Sequence, residues 1–187
     1  MTSDTGDSDL IKETVIISIA YVLAFAVTFK LLLPVQNIFF PKFPSYASLL
    51  FLPHGVRVLA AWLLGWRSVI ALFPGVFFSF WYVAGMGVFE PSRLFAISVA
   101  VFIPAATFHT MRRLGVDLFP AAGKTPCWHC IVLTSITISA LTASMTNIAI
   151  TRTLNDLFAY LIGDFFGMFF LMTILMFFFR SLRQSEE

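Results

Sequence analysis

Residues Leu157–Phe179 read LFAYLIGDFFGMFFLMTILMFFF, and Asp164 is the only ionisable group among them. A bilayer core takes about 20 apolar residues of helix, so this stretch reads as a membrane span. A carboxylate in hydrocarbon is costly and normally faces a partner or a water-filled cavity. A second apolar run, SLLFLPHGVRVLAAWLLG from Ser48 to Gly65, carries Arg57. Opposite charges in two distant spans imply that the spans meet and enclose a polar site within the bilayer.

The rest of the chain is of the same kind. Of its 187 residues 59% are hydrophobic and 12% charged, about half the charged fraction of ordinary soluble domains. The mean hydropathy is +0.89, and 23 residues are Phe. The fold class expected is all-α: a polytopic membrane helix bundle in contact with the lipid bilayer. A formal charge of +2 excludes the strongly basic footprint of nucleic-acid binding, and the spans leave no room for a sizeable soluble domain. The opening residues, MTSDTGDSDLIK, lack the basic-then-apolar order of a secretory signal. Residues 1–13 are therefore expected as a retained, disordered polar tail, 14–181 as one transmembrane domain, and 182–187 as a short polar tail.

Apolar runs predict about six spans, near 14–33, 48–65, 68–87, 92–111, 131–151 and 157–179. Between the first two lies PVQNIFFPKFPSYA, Pro34 to Ala47. Its three prolines argue against a continuous helix, and its aromatics suit the membrane interface. An even span count puts both termini on one side. That side would hold Lys12, Arg67, Arg112, Arg113, Lys124, Arg180 and Arg183, against Lys30, Lys42, Arg93 and Arg152 on the other. The positive-inside rule then makes both termini cytoplasmic, in a multi-pass protein of the cell inner membrane.

This topology gives the polar residues a depth. Arg57 and Asp164 both fall roughly 10–14 Å below the outer boundary at 1.5 Å per residue. His54 lies one turn from Arg57 on the same helical face, and Asn147 of the fifth span is also in the outer half. The ligand-binding candidates are thus His54, Arg57, Asn147 and Asp164. Two readings stay open for the charges: a structural ion pair, in which loss of one partner is costly, or a site whose guanidinium takes an anionic ligand. In the fifth span Thr137, Ala140, Ser144, Asn147 and Thr151 recur at helical spacing, as a packing face or a cavity wall. Ala20 and Ala24 form a small-xxx-small pair in the first span, and small residues let membrane helices approach closely. Gly163 and Gly167 have the same spacing in the last.

Cys127-Trp-His-Cys130 precedes the fifth span. It matches a redox pair or half of a metal site, which His109 and His129 would complete. Cytoplasmic placement disfavours a disulfide, and the preferred reading is an interfacial loop with no metal. No nucleophile with an adjacent base, phosphate loop or zinc-protease helix occurs. The chain is expected not to be an enzyme and to need no cofactor.

Two stretches carry a resemblance. LPHGVRVLAAWLLGWRSVIALFPGVFF (Leu52 to Phe78) resembles the early signature of the bacterial membrane-associated sensor domains. AYLIGDFFGMFFLMTILMFFF (Ala159 to Phe179) resembles their last span, with Gly163, Asp164 and Gly167 at its Gly-Asp-x-x-Gly positions. The resemblance implies an integral-membrane input module. RSLRQSEE follows the last span, so no attached output domain is expected, and Arg57 stands where the resemblance implies an apolar residue. A separate membrane or cytoplasmic protein partner is then implied. The span count and Ala20-x-x-x-Ala24 are also similar to the substrate-binding subunits of energy-coupling-factor vitamin transporters. The expected function is a sensor-like protein that binds a small ligand or membrane partner at the intramembrane site. A substrate-capture subunit of a transporter, or an accessory subunit of a larger complex, is the alternative.

Overall fold

A computed structural model describes residues 4–40, 48–121, 125–150 and 154–184, with side chains for all of these but 4–7, 148–150, 154–156, 179 and 182–184. All regular structure among them is helical: α1 (Asp4–Val27), a π-helical segment (Thr28–Leu32), α2 (Leu33–Phe39), α3 (Leu52–Leu64), α4 (Arg67–Ala84), a 3-10 segment (Gly85–Phe89), α5 (Pro91–Arg113), α6 (Trp128–Ile150) and α7 (Leu154–Gln184). Five stretches are long and apolar enough to cross a membrane: Ser8–Phe39, Arg67–Phe89, Pro91–Arg113, Trp128–Asn147 and Leu157–Phe178. The protein is an all-helical membrane protein.

The first helix corrects two expectations. Residues 4–13 are helical, not a disordered tail. Within this helix Glu13 pairs with Arg67 of α4 at 3.4 Å. The helix also continues past Pro34. The Leu33 N–H reaches the Thr28 carbonyl five residues back, and this wider π turn lies directly before the proline. Pro34 cannot donate to the i−4 carbonyl, and local π geometry is one way a helix absorbs that loss. The helical rod ends at Phe39. Phe40, which precedes Pro41, leaves the helical region with φ −130° and ψ 64°, as the residue before a proline tends to. The remainder of the predicted interfacial segment lies outside the described residues.

The stretch 48–65 also differs from the expected full span. Only Leu52–Leu64 is helical, 13 residues that rise about 20 Å against a hydrocarbon core of about 30 Å. Gly65 ends the helix at φ +57°, a conformation open to glycine at little cost. Ser68 Oγ donates to the Gly65 carbonyl at 2.6 Å, closing the turn into α4. α3 is central: it touches α1, α4, α5, α6 and α7, and nine of its residues are buried. Two apolar clusters meet on it. Ala60 joins Tyr21, Leu72, Val76, Ile97 and Val101 of α1, α4 and α5. Val58, Ala61 and Trp62 join Phe108, Ile131, Ile138 and Met168 of α5, α6 and α7.

The small-residue contact that seats α1 is Ser18 on Gly75 of α4. Ser18 Oγ donates to the Ala71 carbonyl at 2.9 Å and accepts from Gly75 N–H at 3.2 Å. A Cβ at Gly75 would lie 2.9 Å from Ser18 Cα. Of the expected Ala20 and Ala24 pair, Ala24 is buried and Ala20 exposed.

Candidate functional site: a cavity at the head of the central helix

The backbone entering α3 is irregular, and it lies between stretches apolar enough to cross a membrane. Such backbone is tolerated only where protein satisfies its polar groups. Each N–H from Leu49 to Leu52 has a partner. Leu49 N–H donates to Gln36 Oε1 (2.6 Å), Leu50 N–H to Ser48 Oγ (3.2 Å) and Leu52 N–H to Thr28 Oγ1 (3.3 Å). Phe51 N–H donates to the Gly163 carbonyl at 2.9 Å. The buried Thr28 and Gln36 of the first rod thus have a purpose that the sequence does not signal. Gly163 and Gly167 supply the remaining space. A Cβ at Gly163 would run into the Ser48 carbonyl oxygen, and one at Gly167 into the Phe51 carbonyl. These glycines admit an irregular, bent segment against α7, where the sequence had suggested a helix.

This entry places His54 and Arg57 in the first two turns of α3, both buried. His54 Nδ1 lies 3.3 Å from Asp164 Oδ2 and 3.3 Å from Arg57 Nη2. Its Nε2 lies 3.2 Å from the Ser135 carbonyl oxygen and 3.5 Å from Ser135 Oγ. Ser139 Oγ donates to Asp164 Oδ2 at 2.5 Å. Among the described residues the ion pairs do not include Arg57 with Asp164; the imidazole stands between them. One ring nitrogen cannot serve both neighbours at once. With the proton on Nε2, the ring donates to the Ser135 carbonyl and accepts from Arg57. With the proton on Nδ1, it donates to Asp164 and accepts from the Ser135 hydroxyl. The geometry holds both tautomers.

Beside this trio lies a cavity of about 190 Å³. Arg57, Asp164, Thr142, Thr146, Asn147 and Tyr160 give it a polar side, and Tyr21, Phe51, Phe80, Ala96, Ala100, Ala143 and Leu157 complete the wall. The structure therefore brings Arg57, Asn147 and Asp164 onto one wall, with His54 behind them bridging the two charges. Two polar atoms of residues that line the cavity, Arg57 Nε and Thr142 Oγ1, are buried and have no hydrogen-bond partner among the described residues. Arg57 also lies over the Phe51 ring at 5.8 Å.

The wall contains residues that sequence reasoning missed: Tyr21, Thr142, Thr146 and Tyr160, with Ser135 and Ser139 behind. The inward stripe of α6 is Thr134, Ser135, Ile138, Ser139, Thr142 and Ala143, all buried. Of the stripe expected from spacing, Thr137 and Ser144 are exposed, Ala140 is half-buried, and Thr151 lies outside the described residues. The packed face is rotated from the expected one. Hydroxyl residues occur on both sides of this helix, so their spacing alone does not tell which side faces inward.

The Cys127–Cys130 region is separate. The two sulfurs form a disulfide, which corrects the expectation of reduced thiols. His109 Nδ1 lies 2.9 Å from the Ala105 carbonyl, and its ring packs against Trp66 and Phe119. Among the described residues no group of three or more His, Cys, Asp or Glu is placed to hold a metal ion. Comparison of the chain with protein-family models, curated proteins and solved structures finds no match.

Proposed function

We propose that the protein is a ligand-binding, sensor-like integral membrane protein, and that the cavity at the head of α3 takes a small amphiphilic molecule with an acceptor oxygen. The observation that carries this reading is the pair of orphaned polar atoms. A buried polar group without a partner costs about 1–3 kcal/mol, more when charged. Both belong to residues that line the one cavity, and a ligand oxygen that a small movement of either side chain could reach would relieve the cost. A carboxylate or phosphate oxygen on Arg57 Nε–H, with Thr142 Oγ1 within the same space, does this, and a guanidinium suits such anions. The aromatic and aliphatic remainder of the wall suits an apolar body. Six membrane-entering segments with both termini cytoplasmic remain the orientation that the Lys and Arg distribution favours.

Occupancy has a route to the rest of the molecule. A ligand oxygen that draws Arg57 into the cavity removes the donor from His54 Nδ1 and favours the tautomer that donates to Asp164. The ligand thereby reorders contacts among α3, α6 and α7, which a partner protein would read.

Thermal unfolding of the full chain in mild detergent tests the reading, against a panel of small carboxylates and phosphomonoesters with and without apolar tails. A bound member raises the melting temperature. The rise is expected in the natural protein and lost in Arg57→Lys, which keeps the charge but not the planar fork. Equal rises in both proteins, or none for any anion, would discard the anionic-ligand reading.

A second reading has an observation of its own. A short helix within an apolar bundle, with its N-terminal turns beside a cavity, is akin to the half-helices that many transporters use to bind substrate. A substrate-capture subunit fits it. The C-terminal half of α3 is sealed by apolar packing, which argues against an open pore. Uptake of the bound anion by proteoliposomes containing the purified protein alone would favour autonomous transport over sensing.

A further inference from the structure

We infer that the Cys127–Cys130 disulfide is a thiol–disulfide exchange site facing the aqueous edge of the membrane. The inference does not depend on what fills the cavity. The two cysteines bracket Trp128 and His129 where α6 begins. Cys127 is exposed and Cys130 half-buried, so an incoming thiolate reaches the Cys127 sulfur first. The Cys130 N–H donates to Cys127 Sγ at 3.3 Å. Cys127 thus stands at the N-terminus of a 23-residue helix, where free N–H groups and the dipole favour a thiolate. Trp62 steadies the surroundings. Its Nε1–H donates to the Leu118 carbonyl at 2.6 Å, and its ring lies 5.8 Å from that of Trp128. A staple would add little here, because a disulfide stabilises mainly through the loop it closes and this one spans a sequence separation of 3 at the start of a helix. In the orientation proposed above the pair faces the cytoplasm, where cysteine pairs that oxidise are mostly transient, catalytic or redox-sensing.

The exchange balances with soluble thiols as co-reactant. A thiolate attacks Cys127 Sγ, forming a mixed disulfide and releasing Cys130 as its thiolate, which takes a proton. A second thiol attacks the mixed disulfide at the partner's sulfur. Cys127 then leaves as a thiolate held by the helix N-terminus. Two thiols are oxidised to one disulfide, and the protein disulfide is reduced to two thiols.

A redox titration of the full chain in mild detergent, with glutathione as the probe, tests this. The protein is equilibrated at graded ratios of reduced to oxidised glutathione, quenched with a maleimide and weighed intact. The expected result is a shift from no adduct to two adducts within the accessible range of ratios, with helical circular dichroism unchanged. Once reduced, Cys127 should alkylate on the order of tenfold faster than Cys130. Cys130→Ser should retain one glutathione on Cys127, because the resolving thiol is gone. A pair that stays oxidised in a large excess of reduced glutathione while folded is a structural staple, and a pair that alkylates fully under excess oxidised glutathione forms no disulfide. Either outcome overturns the proposal. The titration needs no variant, so a misfolded Cys130→Ser does not compromise it.

Discussion

The two halves of α3 are built on opposite terms. Its N-terminal half is entered by irregular backbone and carries an imidazole between two charges, with a cavity alongside. Its C-terminal half buries Val58, Ala61 and Trp62 against Phe108, Ile131, Ile138 and Met168. In lipid, apolar packing gives helices little hydrophobic drive, because tails are as apolar as leucine. The C-terminal half is therefore held by fit, and the N-terminal half by polar groups with no alternative partner nearby. The contrast teaches where specificity resides: the polar half fixes which helices meet and in what register, and the apolar half closes the far end of the site.

The largest effect expected is at the charges. Asp164→Leu leaves Arg57 buried without a countercharge and should cost about 3–5 kcal/mol, read as a loss of melting temperature and folded yield in detergent. The double variant Arg57→Leu with Asp164→Leu should recover part of that loss, since neither buried charge is then left without the other, though His54 Nδ1 loses both neighbours. A double variant as unstable as the sum of the singles would break the comparison, because each charge would then act through unrelated partners.

Next in size is the backbone seat. Gly167→Ala drives a Cβ into the Phe51 carbonyl, with Phe51 N only 2.9 Å away, and no flexible side chain can move aside. The cost should be about 3 kcal/mol, the upper part of the overpacking range. Gly75→Ala is the control at a helix–helix contact, where Ser18 Cα and O would each be 2.9 Å away. Two whole helices can ease apart by a few tenths of an ångström there, so about 1–2 kcal/mol is expected. Equal melting temperatures for the two variants would remove the special status of the irregular entry.

In the apolar half, Ile138→Ala should cost about 2 kcal/mol, the lower end for a core truncation, and should add to Gly75→Ala without coupling, as separated sites do. Ligand-induced stabilisation should survive Ile138→Ala. Its loss would mean that the two halves are not independent.

Much of this architecture was legible in apolar run length, which lipid exposure forces onto a spanning helix. α3 is shorter than its apolar run for a physical reason: a helix buried among five others is as apolar as one in lipid, so the run did not reveal that its first four residues are irregular. Pro34 read as a helix end because the preceding π turn has no signature in TFKLL. Arg57 and Asp164 stood out because an ionisable group in hydrocarbon needs a reason. The serines and threonines behind them did not, since each is compatible with bonding to its own helix, as Thr107 does to the Ile103 carbonyl at 2.8 Å. The disulfide was illegible because a Cys-x-x-Cys spacing suits oxidised, reduced and metal-bound sulfur alike.

Thr142→Val gives the smallest change in stability and the sharpest test of the cavity wall. Among the described residues most buried hydroxyls have partners; Thr134, for one, donates to the Cys130 carbonyl at 2.8 Å. Removing such a bond costs about 1 kcal/mol. Thr142 Oγ1 is buried with no partner among the described residues, so replacing it by a methyl of similar shape removes a penalty without removing a bond. The variant should match the natural protein or gain up to about 1 kcal/mol, while Thr134→Val loses a similar amount. In the presence of a stabilising anion the order reverses, because Thr142→Val forfeits the bond that the ligand would make. A Thr142→Val that is already less stable without ligand would show that the hydroxyl is satisfied in the free protein. Arg57 Nε would then be left as the one unmet donor on which the anionic-ligand reading stands.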